Sequence, residues 1–281
     1  MNAKYAVLGN PISHSLSPKI HRMFADHQGV QLSYEKFEAP LDDFSDFVAE
    51  LYQQGYHGLN VTLPFKLQAY QLADTVTERA WLAGAVNTLI RTDHGWRGDN
   101  TDGAGLRNDL HQQLGEKLAG NKIFILGAGG SVQGILPTLL AENVSAIHIA
   151  NRTAEKAIAL ANTASEKYNS HIISGSGLNF TATHAFDVLI NATASGINGD
   201  VPDLKDPPII RRCCYDLFYA SKPTAFMRWC ESKLEKNNQR LVTDGLGMLV
   251  HQAAASYNQW RSPDLKEDTI SEVLKKLKQT L

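Results

Sequence analysis

One lysine and one aspartate of this chain have the types and positions that proton transfer to a carbonyl group requires. Lys66 closes the segment 58–66 (GLNVTLPFK), a predicted strand stopped by proline, and Asp102 lies in the polar segment 98–103 (GDNTDG). Reduction of a ketone delivers a hydride to carbon and a proton to oxygen. A lysine ammonium can polarise the carbonyl and donate that proton, and an adjacent carboxylate can hold the lysine in place or relay protons. Taken singly, such a lysine is more often a solvated surface charge, and such an aspartate a turn or cap residue.

The predicted strand before Lys66 carries polar side chains where an ordinary strand end needs none. If residues 58–63 are extended, side chains alternate between two faces, with Asn60 and Thr62 on one of them. The opposite face then takes the apolar set Leu59, Val61 and Leu63. We therefore expect Asn60, Thr62 and Lys66 to contribute to one site.

A glycine loop has the sequence context of a dinucleotide site. It follows a buried predicted strand, 121–126, and opens a predicted helix that runs to about residue 142. Glycines allow a tight turn and a close approach of the backbone to a pyrophosphate, which the N–H groups and dipole of the following helix attract. Val132 occupies the position where the usual motif has its third glycine. The loop by itself is therefore also compatible with an ordinary strand-to-helix turn that binds no dinucleotide. The loop residues are Gly127, Ala128, Gly129, Gly130 and Ser131.

The end of the next predicted strand favours NADP over NAD. An NAD site expects a carboxylate there to accept hydrogen bonds from the ribose, whereas this strand ends in Asn151, Arg152 and Thr153. Arg152 can bind a 2′-phosphate as a forked cation, and Lys156 adds charge one turn later. The alternative is a solvated arginine beside a helix cap, and Thr153 can serve as that N-cap in either case.

Strand-like and helix-like segments alternate along the chain, which predicts an α/β protein. After residue 105 the connection lengths are those of a doubly wound sheet. Predicted strands are 4–9, 32–37, 58–63, 121–126, 145–150, 170–173 and 186–191, with a hairpin at 86–99. Predicted helices are one capped by Ser17 and ended by Gly29, then 41–54, 105–114, 153–167, and two C-terminal helices with apolar stripes from Leu246 to Tyr257 and from Ile270 to Leu277.

Composition argues against nucleic-acid-binding, membrane, secreted and metal-binding classes of protein. The formal charge of −2 gives no electrostatic reason for a nucleic-acid or membrane partner, and no apolar run approaches the roughly 18–20 residues that span a bilayer. The N-terminal apolar stretch is too short for a signal peptide. Three sparse cysteines indicate neither a disulfide framework nor a zinc site, which favours the cytoplasm. His14 and His21 lack a third ligand, so no metal is predicted.

Six motifs in the same order resemble those of the shikimate dehydrogenase family over nearly the whole chain. They are YAVLGNPISHSLSP at 5–18, NVTLPFK at 60–66, GAVNTL at 84–89, NTDG at 100–103, NRT at 151–153 and DGLGMLVHQ at 244–252. The resemblance implies NADPH-dependent, reversible reduction of 3-dehydroshikimate to shikimate in aromatic amino-acid biosynthesis. It also implies an N-terminal α/β substrate domain, residues 1–104 plus 243–281, and a Rossmann-type doubly wound NADP domain, residues 105–242. The segment 98–103 should then line the cleft between the domains.

The resemblance also implies roles for individual residues. Lys66 would be the acid/base with Asp102 its partner, and Ser15 and Ser17 would bind the substrate carboxylate. Other substrate contacts would be Asn60, Thr62, Asn87, Asp102, Tyr219 and Gln252. The cofactor would meet the glycine loop, the 151–153 segment with Lys156, and also Glu78, Leu217 and Gly245, the last two beside the nicotinamide.

Two departures from the family pattern concern the cofactor. Gln133 stands where many relatives carry arginine, so Arg152 and Lys156 would hold the phosphate alone or more weakly. Leu217 replaces a common methionine, a volume-conserving change that should be mild. Three alternatives stay open: a broader quinate/shikimate dehydrogenase that uses NAD, a catalytically silent metabolite sensor, and a scaffold with a degenerate nucleotide site. A monomer and a homodimer are both compatible with the sequence.

Overall fold

The computed structural model describes residues 3–193, 200–201, 204, 206–235 and 239–281. The chain divides into two compact units. The first contains the residues up to Asn108 together with Leu249–Thr280, and the second contains Asp109–Met248 and the terminal Leu281. Each division of the chain falls inside a helix, so two helices begin in one unit and end in the other.

The first unit is built on a mixed six-stranded sheet in the order β2-β1-β3-β5-β6-β4. Strand β1 pairs in parallel with β2 and β3, while β5 is antiparallel to β3 and β6. The strands are β1 Ala3–Gly9, β2 Leu32–Glu38, β3 Tyr56–Val61, β4 Thr75–Val76, β5 Thr88–Thr92 and β6 Gly95–Asp99. The helices are α1 Ser17–Gln28, α2 Phe44–Gln53, α3 Lys66–Leu72, α4 Glu78–Ala83, the start of α5 Asp102–Leu114, the end of α9 Leu246–Trp260, and α10 Glu267–Thr280.

The register of the three central strands brings polar residues into one row. Asn60 of β3 is paired with Thr88 of β5, and Thr88 is paired with Asp99 of β6. All three are buried. Because each lies at or next to the end of its strand, the segments that follow β3 and β6 and the residue that precedes β5 meet at the same edge of the sheet.

An apolar core beneath that edge fixes the turn that leads to α3. Phe65, which directly precedes α3, is buried and stacks on Phe44 of α2 with ring centroids 4.3 Å apart. Leu59 and Val61 of β3 and Leu89 of β5 belong to the same core. Burying a phenylalanine side chain contributes about 1.5–3 kcal/mol, so this stack holds the start of α3 against the sheet.

The second unit is a doubly wound parallel sheet in the order β12-β11-β10-β7-β8-β9, with every recorded pairing parallel. Counted within the unit, this is the Rossmann strand order, with the chain reversing direction across the sheet between β7 and β10. The strands are β7 Lys122–Leu126, β8 Ala146–Asn151, β9 Ile173–Gly177, β10 Phe186–Asn191, β11 Ile210–Asp216 and β12 Leu241–Thr243. The helices, besides the end of α5 and the start of α9, are α6 Gly130–Ala141, α7 Ala154–Tyr168 and α8 Ala225–Lys233.

The predicted α/β class with a Rossmann-type sheet is confirmed, and several predicted elements need correction. Strand β3 ends at Val61, so the predicted alternation fails for Leu63, which lies in the following turn and is 48% exposed. The expected strand 170–173 lies at 173–177, and α2 starts at Phe44 rather than at residue 41. Helix α5 starts at Asp102 rather than at residue 105. The sequence patterns did not predict α3, α4, α8, β4, β11 and β12.

The predicted cap of the first helix is also wrong. Leu16 occupies the N-cap position of α1, and Ser17 is already the first helical residue, followed by Pro18. The backbone N–H of Ser17 donates instead to the hydroxyl of Ser15, at 3.3 Å. The hydroxyl of Ser15, one residue before the N-cap position, therefore takes over the capping role.

Among the described residues, no helix is both long and apolar enough to cross a bilayer.

Truncating the stacked ring before α3 tests this arrangement. We expect Phe65→Ala to lower the free energy of unfolding by about 3–5 kcal/mol, because it removes a buried ring and leaves a cavity beside Phe44. Leu67→Ala, two residues away but 50% exposed, should change it by less than about 0.5 kcal/mol. Urea unfolding of both variants makes the comparison. Equal losses would show that Phe65 does not anchor the start of α3.

Candidate active site

Lys66 and Asp102 form an ion pair in the first unit. The Lys66 Nζ atom lies 2.5 Å from Asp102 Oδ2, and the two side chains are only 14% and 7% exposed. Each residue begins a helix, Lys66 at the start of α3 and Asp102 at the start of α5. The Lys66 carbonyl accepts from the N–H of Val86, and the Asp102 N–H donates to the side chain of Asn100. A shielded ammonium held by a carboxylate can polarise a carbonyl oxygen and exchange a proton with it.

Asn87 joins this pair to the sheet. Its Nδ2 donates to Asp102 Oδ1 at 2.8 Å and to Thr101 Oγ1 at 2.9 Å, and it lies 3.3 Å from Gln252 Oε1. Its Oδ1 accepts from the backbone N–H of Thr101 at 2.9 Å and from the Thr88 hydroxyl at 2.8 Å. Both carboxylate oxygens of Asp102 are therefore occupied, one by Lys66 and the other by Asn87, so the carboxylate has one orientation.

Asn60, which contacts the backbone of Asn87, is also fixed by several hydrogen bonds. Its Oδ1 accepts from the hydroxyl of Tyr34 at 2.7 Å. Its Nδ2 donates to Ser256 Oγ at 3.0 Å and to Thr88 Oγ1 at 3.2 Å, and lies 3.3 Å from the carbonyl of Asn87. Burial raises the pKa of the Tyr34 phenol well above its usual value, so the hydroxyl stays a donor to Asn60.

A second ion pair fixes the polar segment that ends in Asp102. The buried carboxylate of Asp99 is paired with the guanidinium of Arg79, whose Nε donates at 2.6 Å, and accepts from the Thr77 hydroxyl at 2.6 Å. The N–H of Asn100 donates to the same carboxylate at 2.8 Å. Burial alone would raise the pKa of Asp99, but Arg79 and these hydrogen bonds hold it below its ordinary value. The segment that leads into α5 is thus held in place by the Asp99 carboxylate, both of whose oxygens have partners.

The other residues predicted for the substrate lie in both units. In the first unit, Ser15 and Ser17 stand at the N-terminus of α1, and Thr62 follows β3, where its N–H donates to the carbonyl of Leu8 at 2.8 Å. Gln252 of α9 contacts Asn87, as described above. It thereby joins the polar cluster, which is the hydrogen-bonded set around Asn60, Asn87 and Asp102. Tyr219 belongs to the second unit, half-buried, with its ring centroid 6.1 Å from that of Phe218.

The second unit carries the glycine loop between β7 and α6. Gly127 has a φ of +107°, and a Cβ there would lie 3.0 Å from the backbone of Ala192, so the position requires glycine. A Cβ on Gly129 or Gly130 would meet no described atom within 4 Å. Helix α6 begins at Gly130 with no side-chain cap. The N-terminus of α6 is therefore bordered by open space on the side of these glycines, and a helix N-terminus attracts an anion such as a pyrophosphate.

The end of β8 presents cations without internal partners. Arg152 and Lys156 are exposed, and neither side chain has a hydrogen bond or ion pair with another residue that the structure describes. Asn151 donates to the carbonyl of Thr153 at 2.9 Å. Thr153 occupies the N-cap position of α7, but its side chain makes no capping hydrogen bond, so the predicted cap is wrong in its chemistry. Two free cations and no carboxylate at the strand end fit the extra phosphate of NADP.

A buried carboxylate holds the loop that follows β11. Asp216 accepts from Asn191 at 3.0 Å, from the Thr224 hydroxyl at 2.6 Å and from the N–H of Phe218 at 3.2 Å. Burial raises the pKa of Asp216 and these hydrogen bonds oppose that rise. The loop carries Leu217 and Tyr219, and a Cβ on Gly245 would collide with the Leu217 carbonyl, so that position also requires glycine.

The structure does not place all predicted cofactor residues in one unit. The glycine loop, residues 151–153, Lys156, Leu217 and Gly245 belong to the second unit, whereas Glu78 is an exposed residue at the start of α4 in the first. No cluster of three or more potential metal ligands occurs among the residues that the structure describes.

Sequence reasoning missed several residues of the polar cluster. Thr88, Thr101 and Ser256 hydrogen-bond to the predicted residues, as does Tyr34. Thr88 and Thr101 stand inside motifs used for the family resemblance, and Ser256 follows Gln252 by one helical turn. That i, i+4 spacing, outside the apolar stripe of α9, was the available signal for Ser256. Tyr34 offered none, because its partner is distant in sequence.

Comparison with known families and proteins identifies the family to which the chain belongs. Residues 7–89 match the family described as "Shikimate dehydrogenase substrate binding domain", and residues 109–198 match "Shikimate / quinate 5-dehydrogenase". The curated NADP(+) shikimate dehydrogenase of Thioalkalivibrio sulfidiphilus is 44% identical over 274 residues, covering 97% of this chain and 98% of that one. The chain belongs to the shikimate dehydrogenase family.

Solved structures of similar proteins share the fold over nearly the whole chain. An Ael1 enzyme from Pseudomonas putida is 36% identical, with a TM-score of 0.84, covering 97% of this chain and 98% of that one. Shikimate 5-dehydrogenase from Thermus thermophilus, solved in complex with NADP(H) and shikimate, is 28% identical with a TM-score of 0.80 and covers 98% and 99%. The resemblance to the family noted from six motifs is thus confirmed.

His21 lies next to the polar cluster and makes the stability of the protein depend on pH. The ring is fully buried and stacks on Tyr34 at 4.2 Å, and neither ring nitrogen has a hydrogen-bond partner among the described residues. Burial lowers the pKa of His21 from 6.5 to about 3, an effect that the nearby Asn60 side chain opposes only in part. Between those two values the unfolded chain binds a proton that the folded chain excludes. The stabilising effect is therefore complete above pH 6.5 and decreases as the pH falls towards 3.

We expect His21→Phe to reduce this pH dependence, because phenylalanine fills a similar space and cannot be protonated. The free energy of unfolding of the wild type should fall by about 1.4 kcal/mol per pH unit from His21 alone below pH 6.5. Buried His148, with a pKa lowered to about 4, adds a similar slope in both proteins. Urea unfolding between pH 7.5 and 5 measures the difference. Identical slopes would show that His21 is not held neutral by the fold.

Proposed function

We propose that this protein catalyses the reversible NADPH-dependent reduction of 3-dehydroshikimate to shikimate, a step of aromatic amino-acid biosynthesis. The observation that carries the proposal is the shielded contact of 2.5 Å between Lys66 and Asp102 in a chain of the shikimate dehydrogenase family. A relative 44% identical over almost the full length is named an NADP(+)-dependent shikimate dehydrogenase. A binding module would not need an ammonium and a carboxylate held together in this way.

The proton chemistry falls to Lys66. In the direction of reduction, its ammonium donates a proton to the carbonyl oxygen as that oxygen becomes a hydroxyl, and in the direction of oxidation the neutral amine takes the proton back. Asp102 holds the ammonium in place, and Asn87 holds Asp102 through its second oxygen. NADPH, when bound, supplies the hydride that the carbonyl carbon receives.

Substrate binding draws on the side chains around this pair. Ser15 and Ser17, at the N-terminus of α1, would bind the substrate carboxylate, because hydroxyls at a helix N-terminus favour an anion. The hydroxyls of the substrate would meet Asn60, Thr62, Asn87, Asp102 and Gln252 in the first unit and Tyr219 in the second. Because a site that hydrogen-bonds hydroxyl groups rejects analogues that lack them, this set favours a polyhydroxy acid.

The second unit would hold NADP. The residues present fit the cofactor, because Gly129 and Gly130 leave space above a helix N-terminus and Arg152 and Lys156 are uncommitted cations. The glycine loop, residues 127–131, would bind the pyrophosphate, and Asn151, Arg152, Thr153 and Lys156 the 2′-phosphate. Leu217 and Gly245 would border the nicotinamide, and Glu78 would add a contact from the first unit. Gln133 cannot contribute charge, which leaves the phosphate to Arg152 and Lys156.

We further propose that the protein works in the cytoplasm as a monomer or homodimer, with small molecules rather than nucleic acid or membrane as its partners. Its three cysteines are buried and unpaired, as expected in a reducing compartment. Size-exclusion chromatography with light scattering distinguishes the two assembly states.

Removing the ammonium tests the proposed acid/base. We expect Lys66→Ala to lower kcat for shikimate oxidation by about 10²–10⁴-fold, because the proton has no positioned acceptor, while shikimate still binds. Lys275→Ala, which alters an exposed lysine of α10, is the control and should match the wild type. Initial rates with NADP and calorimetric titration of shikimate give both quantities. A wild type that oxidises quinate with NAD equally well would indicate the broader dehydrogenase, and one that binds shikimate without turnover would indicate a sensor.

Removing the guanidinium of Arg152 tests the preference for NADP over NAD. We expect Arg152→Gln to raise KM for NADP by about ten- to a hundredfold and to leave KM for NAD nearly unchanged, since a hydrogen bond to a charged group contributes about 1.5–3 kcal/mol. Arg211→Gln, at an exposed arginine of the same unit, serves as the matched control. Equal changes for NADP and NAD would assign Arg152 a structural role rather than recognition of the 2′-phosphate.

A further inference from the structure

Ser256 occupies the centre of the polar cluster without belonging to any motif of the proposed site. It lies on α9, one turn after Gln252, and is fully buried. Its hydroxyl proton lies within reach of the Gln252 carbonyl at 3.0 Å and of Thr88 Oγ1 at 2.8 Å, and in either case its oxygen can accept from other groups. A buried serine at this position can therefore link residues of several segments through a single oxygen.

Three separate segments reach that oxygen. The Asn60 side chain at the end of β3 donates to it from 3.0 Å, the Thr88 hydroxyl of β5 lies 2.8 Å away, and the Thr101 hydroxyl before α5 lies 3.2 Å away. All of these residues are buried. The three segments contain or adjoin Asn60, Asn87 and Asp102, so one hydroxyl contacts the segments at the ends of β3, β5 and β6.

The direction of the hydrogen bonds follows from groups that can play only one part. A backbone N–H is only a donor, so the atom of Asn87 facing the Thr101 N–H must be its oxygen, and Asn87 Nδ2 then points to Asp102. Asp102, as a carboxylate, is only an acceptor. For Asn60, the carbonyl of Asn87 is only an acceptor, so Nδ2 faces Asn87, Thr88 and Ser256 while Oδ1 faces Tyr34.

We propose that Ser256 is a positioning residue that locks the side-chain amide of Asn60 and the hydroxyls of Thr88 and Thr101, and through Thr101 and Asn87 fixes the carboxylate that holds Lys66. Thr88 and Thr101 both hydrogen-bond Asn87, so freeing them loosens the amide that holds Asp102. Removing the Ser256 hydroxyl leaves buried polar groups without a partner, which a rearranged cluster or an entering water must then satisfy.

Two measurements on Ser256→Ala test this inference, one of which does not depend on activity. In ¹H–¹⁵N spectra, the side-chain amide signals of Asn60 and Asn87 should shift and exchange with solvent at least about tenfold faster than in the wild type, because their buried partner is gone. The value of kcat/KM for shikimate should fall about tenfold, whereas KM for NADP should stay within about twofold, because Ser256 belongs to the first unit. The second measurement rests on the proposed function; the first does not.

Ser45→Ala, at an exposed serine of α2, is the matched control and should leave spectra and kinetics as in the wild type. If Ser256→Ala does not fold, Thr88→Val interrupts the same cluster with little change of shape and should shift the same amide signals. If both variants fold, their combined loss in kcat/KM should be smaller than the product of the single losses, since they break one network.

The outcomes separate the two hypotheses. Wild type without shikimate turnover would remove the proposed function, and the amide signals would still decide the role of Ser256. Unchanged amide signals in Ser256→Ala would overturn the positioning role, whatever the activity. Shifted signals with full activity would overturn the link from Ser256 to Lys66, and shifted signals with the expected loss would support the whole inference.

Discussion

Buried polar groups that must each find a partner determine the structure of the first unit. Strand pairing places Asn60, Thr88 and Asp99 in one row of the sheet, where water cannot reach them. An unsatisfied buried group costs about 1–3 kcal/mol, so a row of three is tolerated only if its neighbours supply donors and acceptors. Arg79 and Thr77 supply them for Asp99, while Tyr34 and Ser256 supply them for Asn60. The Lys66–Asp102 pair extends this satisfied cluster through Asn87.

The second unit depends on a different constraint, the close approach of backbones at the strand ends. Gly127 and Gly245 stand where a side chain would meet the backbone of Ala192 or Leu217. The contact at Gly127 joins the segments after β7 and β10, at the point where the strand order reverses and open α/β sheets leave a crevice. The contact at Gly245 joins the segments after β11 and β12. Arg152 and Lys156 add exposed positive charge just after the end of β8.

The sequence allowed the fold class and the main candidate residues to be predicted, for identifiable reasons. Long apolar runs and well-spaced helical stripes predicted β7 and α9, and the residue types around Lys66 and Asp102 predicted a contact across 36 positions of the chain. Strand β11 was missed because Arg211 and Arg212 interrupt its apolar pattern, although the rest of the strand is buried. Leu63 was misplaced because alternation does not reveal where a strand ends. Tyr34 and Ser256 could not be linked to Asn60, because their contacts depend on tertiary packing.

The division of the chain between the units has a consequence for the order in which the protein can form on the ribosome. The second unit is one stretch, Asp109–Met248, apart from the terminal residue, whereas the first draws on both ends of the chain. Ser256, Tyr257 and Trp260 all contribute to the first unit, and Trp260 donates to the carbonyl of Leu89. During synthesis the N-terminal sheet therefore waits for residues 249–280, which are translated after the second unit. The continuous stretch of the second unit is thus complete before the first unit has all its residues, and the N-terminal sheet lacks the rest of α9 and α10 until residues 249–280 have been made.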